Sequence, residues 1–239
     1  EEDVYGINRS SPLDKYHWPW ISKYENQLSK RWFQYSLTKS LEEMILKIKE
    51  INPDVIIDFM GQGMVAQSWN EPNLWYTTNL ANKSKLLNAL IDLKKLKKYI
   101  RISTPEVYGS NSSYLKEDAK FNPSTPYAIS HAAIDFHLRC LQNQYNFPFL
   151  IGRFANFYGI GQQLYRIIPR VFLSCKTKKT FILDGKGESK RSFIHTNDFV
   201  SAIYKLILFN GIGEEFNFSS NEEVSIASLV ENICAIAKV

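Results

Sequence analysis

Three short segments carry side chains of the kinds that move protons: Ser103-Thr104-Pro105-Glu106-Val107-Tyr108-Gly109, Tyr127-Ala128-Ile129-Ser130-His131 and Asn156-Phe157-Tyr158-Gly159-Ile160-Gly161-Gln162. A positioned phenol, imidazole or carboxylate is a general acid or base, and a threonine hydroxyl can hydrogen-bond a reacting oxygen. Tyr127 and His131 are four residues apart, so on a helix they share a face. No segment decides a chemistry alone, because a tyrosine opening a helix is most often a half-buried packing residue.

The elements around these segments say more. Val4-Tyr5-Gly6-Ile7 reads as a strand, and Leu41, Met44, Ile45, Ile48 and Ile51 form one helical stripe. Asp54 to Phe59 is almost wholly apolar, the pattern of a strand buried on both faces. A helix over about Asn73 to Lys97, a strand Tyr99–Ser103, a helix Pro126–Tyr145 and a strand Phe147–Phe154 follow. This alternation predicts an α/β fold with a doubly wound parallel sheet. Ligands of such sheets sit at the carboxyl ends of strands, which here means just after Phe59, Ser103 and Phe154. From Gly159 the pattern shortens, so residues 1–158 are expected to form the main domain and 159–239 a smaller, partly interwoven lobe facing the substrate.

Composition narrows the class. Net charge is +5, from 29 basic and 24 acidic residues, with an excess in Lys83, Lys85, Lys94, Lys95, Lys97 and Lys98. A lysine-rich helix face is usually solvated surface, so no nucleic-acid partner is expected. Cys140, Cys175 and Cys234 are odd in number and lack a Cys-x-x-Cys, which argues against a disulfide framework or a metal site and for a reducing compartment. No apolar run approaches the roughly 20 residues of a membrane span. The chain opens on Glu1-Glu2-Asp3 rather than a signal peptide, and a cytoplasmic protein with no membrane contact is the expectation.

In their order, the three segments resemble the extended short-chain dehydrogenase/reductases that act on nucleotide sugars, the nucleotide-sugar epimerase/dehydratase family. Within it the resemblance is strongest to the 4,6-dehydratases, of which the dTDP-glucose enzymes are the best known. It extends to Asn52–Asp58 with Gln67–Pro72, to Asn79 with Leu86–Ala89, to Gly185–Asp198 and to Phe216–Leu229. The resemblance implies a Rossmann-like fold and NAD as cofactor. It implies a nucleotide-diphosphate hexose as substrate, converted to a 4-keto-6-deoxy sugar. It also implies a homodimer formed through the helices of residues 73–97 and 126–145.

Residue by residue, Tyr127 would be the base that takes the proton of a sugar hydroxyl, ionising far below the usual value of about 10. The family places a lysine four residues on; here that position is His131, whose usual value of about 6.5 leaves it mostly neutral. His131 is therefore read either as a catalytic, cofactor-touching substitute whose charge favours the phenolate, or as a helix-surface bystander. A functional His131 predicts a narrow pH optimum that His131→Lys widens. Thr104 would hydrogen-bond the reacting oxygen, and Glu106 would remove the proton beside the new ketone. Pro105 stands where the dTDP-glucose enzymes carry the acid, an Asp. GDP-mannose dehydratases lack that Asp too, whereas epimerases commonly lack the Glu. Phe59, Met60, Gly61 and Asn79 would line the cofactor, Arg191 would clamp the diphosphate, and Asn156 and Arg166 would add substrate contacts.

The family's first strand and Gly-x-x-Gly-x-x-Gly turn are expected before residue 1, and its last helices beyond Val239; no such turn occurs in the chain. Where an acidic residue would favour NAD stand Asn8 and Arg9, and Arg9 could accept the extra phosphate of NADP. Two further readings stand beside dehydration: an epimerase, which uses Tyr127 without Glu106, and an inactive relative that only binds nucleotide sugar.

Overall fold

A computed structural model describes residues 3–11, 26, 30–110 and 114–238. The chain divides into two compact units, Glu1–Arg153 with Leu206–Asn217, and Phe154–Lys205 with Phe218–Val239.

In the first unit, β1 (Gly6–Asn8) runs parallel to β2 (Trp32–Gln34), with Asn8 opposite Gln34. The three-residue β2 has no alternating pattern and was not foreseen. Helix α1 (Leu41–Ile51) forms over the expected residues and stops at Asn52, which adopts the left-handed conformation at φ 47°. Strand β3 (Val55–Asp58) is followed by α2 (Pro72–Trp75), a π-helix (Tyr76–Asn82) and α3 (Lys83–Leu90). The expected helix to Lys97 therefore ends early. Leu93 and Leu96 fold back in turns, and the N–H groups of Lys97 and Lys98 donate to the Asp54 carbonyl, which starts the pairing of β4 (Lys98–Ser103) with β3. β3 and β4 are parallel, with Asp58 opposite Arg101, and β4 is parallel to β5 (Phe149–Phe154), with Ser103 opposite Arg153.

Between β4 and β5 runs α4 (Pro126–Tyr145). Every residue of β5 is buried. Met44, Ile45 and Ile48 of α1, Leu86, Leu87 and Leu90 of α3, and Ile134, Leu138 and Leu141 of α4 close one core over Tyr99, Phe149 and Ile151. Each such side chain contributes about 1.5–3 kcal/mol when removed from water.

In the second unit, β6 (Asn156–Tyr158) lies parallel to β7 (Lys190–His195). Helix α5 is Ile167–Thr177 and α6 is Thr196–Leu208, whose last turn belongs to the first unit. Strand β8 (Glu214–Phe218), all of which but Phe218 belongs to the first unit, completes that unit's order β3-β4-β5-β8. β9 (Glu223–Ser225) is antiparallel to β7, and α7 (Ile226–Ala237) is capped by Ser225 and packs on α5. There the Cys175 and Cys234 sulfurs lie 3.3 Å apart as free thiols.

Among the described residues no helix is long and apolar enough to cross a membrane, and no group of three or more His, Cys, Asp or Glu could hold a metal ion.

Candidate active site

The start of α4 is fixed by its sequence. Thr125 Oγ1 accepts the Ala128 N–H at 3.1 Å, and Pro126 occupies the first helical position, where a missing N–H costs nothing. Tyr127 thus falls in the first turn, half-buried, with its ring 4.5 Å from that of His131. Thr104 does similar work after β4. Its Oγ1 accepts the Glu106 N–H at 3.3 Å and starts a 3-10 turn, Pro105–Tyr108, that carries a half-buried Glu106. Gly109 ends the turn at φ 74°, and a Cβ there would meet the Asn122 carbonyl oxygen at 2.2 Å. Val107 and Tyr108 of the turn pack with Ala132 of α4, which joins the segments bearing Glu106 and Tyr127.

A buried ionic network holds that joint. The Asp135 carboxylate accepts from Ser103 Oγ at 2.9 Å and Arg153 Nη2 at 3.0 Å, and Arg153 Nη2 also reaches Glu215 at 2.5 Å. Arg153 Nη1 donates to the Tyr108 hydroxyl at 3.0 Å, which donates to Asn217 at 3.1 Å. Burial raises the Asp135 carboxyl above its ordinary range, although Arg153 opposes this.

At the carboxyl end of β3, Asp58 is the hub of a second network. Its carboxylate accepts from Lys83 Nζ at 2.6 and 2.7 Å, the Tyr99 hydroxyl at 2.5 Å, the Met60 N–H at 2.9 Å and Arg101 Nη1 at 3.4 Å. Lys83 also holds the Met60 carbonyl at 2.8 Å. Two residues on, Asn79 clamps both backbone groups of Gln62, accepting its N–H at 2.6 Å and donating to its carbonyl at 3.0 Å. The same amide donates to Ser130 Oγ at 3.0 Å, and Ser130 donates to the Tyr127 carbonyl at 2.7 Å. The loop expected to face a cofactor is therefore fixed at two residues and tied to the tyrosine's own turn.

Asn79 is fully buried in the π-helix, a rare element frequent at functional sites, and its amide positions this loop. Within the loop, a Cβ on Gly61 would come to 3.2 Å from Asn79 Oδ1, and Phe59 is 58% exposed.

Two expectations are corrected here. Lys83, read as part of a solvated lysine face, is fully buried, and burial with the nearby Arg101 pushes its ammonium down to about 8 against the pull of Asp58. His131 is not a surface residue, being 7% exposed, and it is not charged. Arg101 Nη2 donates to His131 Nδ1 at 3.0 Å, which requires a lone pair on that nitrogen and leaves the ring proton on Nε2. Burial, then Arg101 and Lys83, hold the imidazole well below its ordinary value, with Asp58 pulling weakly the other way. Burial pushes the Asp58 carboxyl up, but Lys83 and Arg101 outweigh it and keep it below the usual range. Asp58, Lys83, Tyr99, Arg101 and Ser130 carry no site role in the sequence reading.

The His131 shift has a testable sign. In the window below about 6.5 the unfolded chain takes up a proton that the fold refuses, so this group costs stability as pH falls, by up to about 1.4 kcal/mol per unit. His131→Gln, whose carbonyl can still accept from Arg101, is expected to lose stability less steeply on acidification. Urea midpoints at stepped pH check this, and parallel curves for the two proteins would contradict it.

The other expected site residues are placed as follows. Asn8 is half-buried and its side chain accepts the Arg9 N–H at 2.8 Å, while the Arg9 side chain is exposed. In the second unit Asn156 opens β6, Arg166 precedes α5 with its guanidinium 5.4 Å from the Tyr165 ring centre, and Arg191 on β7 donates to the Lys190 carbonyl at 2.8 Å. All three are exposed. The same unit holds an apolar groove of about 640 Å³ lined by Tyr158, Ile168, Pro169, Phe172, His195 and Ile233 among others, and none of the three lines it.

A parallel sheet with a Thr-Pro-Glu turn and a tyrosine-led helix at its carboxyl ends defines a Rossmann-type α/β protein. The NAD dependent epimerase/dehydratase family matches residues 4–219, and the chain belongs to it. It is 28% identical to an uncharacterised protein of Schizosaccharomyces pombe, over 95% of this chain and 72% of that protein. It is 27% identical to dTDP-glucose 4,6-dehydratase of Xanthomonas campestris pv. campestris, over 79% of this chain and 57% of that enzyme. The chain thus spans little more than half of that dehydratase.

Among solved structures, UDP-glucuronic acid 4-epimerase from Bacillus cereus, in complex with UDP-glucuronic acid and NAD, superposes with a TM-score of 0.87 at 22% identity, over 99% of this chain and 75% of that one. A dTDP-glucose 4,6-dehydratase from Streptomyces venezuelae, with NAD bound, gives 0.82 at 19%, over 97% and 80%.

The loop after β3 has room for a flat group of the family's cofactor to lie along it. The clamped loop after β3 presents Phe59 and Gly61 at its surface, and the buried Arg101 Nε has no acceptor among the described residues.

Proposed function

We propose that the protein is a nucleotide-diphosphate-hexose 4,6-dehydratase that uses NAD and forms a 4-keto-6-deoxy sugar. The observation that carries this reading is the Glu106 turn, started by Thr104, closed by Gly109 and packed on the helix that Tyr127 opens. Tyr127 takes the proton of the C4 hydroxyl while Thr104 hydrogen-bonds the same oxygen. Phe59, Met60 and Gly61 would hold NAD, which would accept the C4 hydride. Glu106 then removes the C5 proton, which the new ketone has made acidic. Pro105 has no proton to give, so Glu106 passes the one it took to the departing C6 hydroxyl, which leaves as water. The hydride would return to C6 once water has left, while a proton replaces the one lost from C5, so that the 4-keto-6-deoxy sugar forms and NAD is restored.

Arg191 clamps the diphosphate, a task that suits a guanidinium, and Asn156 and Arg166 add contacts to the substrate. Asn8 and Arg9 face the adenosine side, and the exposed Arg9 keeps NADP as the alternative. Ile129 and Phe136, seven residues apart on α4 and 43% and 48% exposed, support a homodimer through that helix. We place the protein in the cytoplasm.

Epimerisation is the second reading, favoured by Pro105 in the acid's place. Glu106→Gln separates the two. A dehydratase should lose water release by about 10²–10⁴-fold, yet still form the 4-keto hexose, which borodeuteride traps. Unchanged product formation by this variant would remove Glu106 from the mechanism and favour the epimerase.

A further inference from the structure

A tyrosine that exchanges a proton near neutral pH must ionise far below about 10, and a positive charge nearby is the usual physical cause. His131, whose ring lies 4.5 Å from that of Tyr127, is buried and neutral and cannot be that charge. Besides Tyr127, the charged groups that act on it are Arg101 from β4, Lys83 from α3 and Asp58 from β3, and Tyr99 of β4 donates to that Asp58. Asp58 is one anion facing two cations. Lys83 takes both of its oxygens at 2.6 and 2.7 Å, while Arg101 reaches it only at 3.4 Å. Arg101 is thus the less neutralised cation, 1% exposed, with Nε lacking an acceptor and Nη2 on the histidine. Burying a surplus charge is costly unless an anion offsets it.

We propose that Arg101 is a positioning residue: its guanidinium, acting through the neutral His131 ring, supplies the fixed positive charge that favours the ionised form of Tyr127. This rests on reading Tyr127 as the base. A guanidinium stays protonated at every working pH, so no acid limb arises from the histidine. His131→Lys would set two buried cations side by side instead of improving the site.

The test is carbon NMR of Cζ-labelled tyrosine in the full-length protein, with the Tyr127 signal assigned by its loss in Tyr127→Phe. Wild-type Tyr127 should titrate below the exposed tyrosines. Arg101→Gln should raise its titration by about one unit or more. Arg101→Lys and His131→Gln should leave it low, and Arg101→Gln combined with His131→Lys should restore it. Equal titration in wild type and Arg101→Gln overturns the proposal. If Arg101→Gln does not fold, a rise in His131→Gln, or an ordinary Tyr127 in wild type, overturns it as well. A fully active Tyr127→Phe would instead remove the reading of the base and leave the titration result standing.

Discussion

Tyr127→Phe in the full-length protein should lower turnover of the nucleotide-diphosphate hexose by about 10²–10⁴-fold, the usual loss when a general base is removed. The phenol sits in the first turn of α4, set there by the Thr125 cap and Pro126, and its carbonyl is held by Ser130. Removing one hydroxyl disturbs none of those supports, so affinity for the nucleotide sugar and thermal stability should stay near wild type. Calorimetric binding with single-turnover kinetics checks both halves. Turnover within a few-fold of wild type would take Tyr127 out of the base's role.

The largest expected effect on stability belongs to Asp58→Asn. The carboxylate accepts from Lys83, Tyr99, Arg101 and the Met60 N–H, all inside the fold. Without it two buried cations face a neutral amide, and breaking a buried pair in this way costs about 3–5 kcal/mol. Lys83 modulates the loss. Its folded value of about 8 lies below the unfolded one, so the unfolded chain binds more protons in between, and a neutral Lys83 relieves the repulsion as pH rises. Asp58 itself raises the Lys83 ammonium, so the variant's Lys83 should lose its proton below the wild-type value of about 8. The deficit should therefore be greatest at acid pH and shrink as pH rises toward about 8. Lys83→Met in the Asp58→Asn background should recover part of it. Urea midpoints across pH measure all three, and a loss below about 1 kcal/mol at neutral pH would mean the network is not strained by removing its anion.

How far the sequence led depended on whether a feature is local. Helix α4 was legible to the residue, because Thr125-Pro126 and the left-handed Asn146 are local start and stop signals. Thr104 and Glu106 stand just after a strand end, where the fold rule directs attention, whereas the roles expected of them and of Tyr127 came from the family resemblance. Strand β2 escaped because three residues cannot display a period, and the π-helix because no local rule marks one. Lys83 was misread although its spacing with Leu86, Leu87 and Leu90 put it on the buried stripe of α3. Arg101 is a lone cation in the apolar run Tyr99-Ile100-Arg101-Ile102, a pattern that signals a buried, partnered charge. That these two meet Asp58, from 25 and 43 positions away, is tertiary, and so is the Arg101 contact that leaves His131 neutral.

The most direct measurement offers the full-length protein dTDP-glucose, GDP-mannose and UDP-glucose with NAD. The readout is the ultraviolet absorbance that 4-keto-6-deoxy sugars develop in alkali, with mass spectrometry of the nucleotide product. The account predicts that at least one substrate yields a product lighter by one water and that Glu106→Gln yields none. A product of unchanged mass with inverted C4 would contradict dehydration and make the protein an epimerase, and no conversion of any substrate would contradict both.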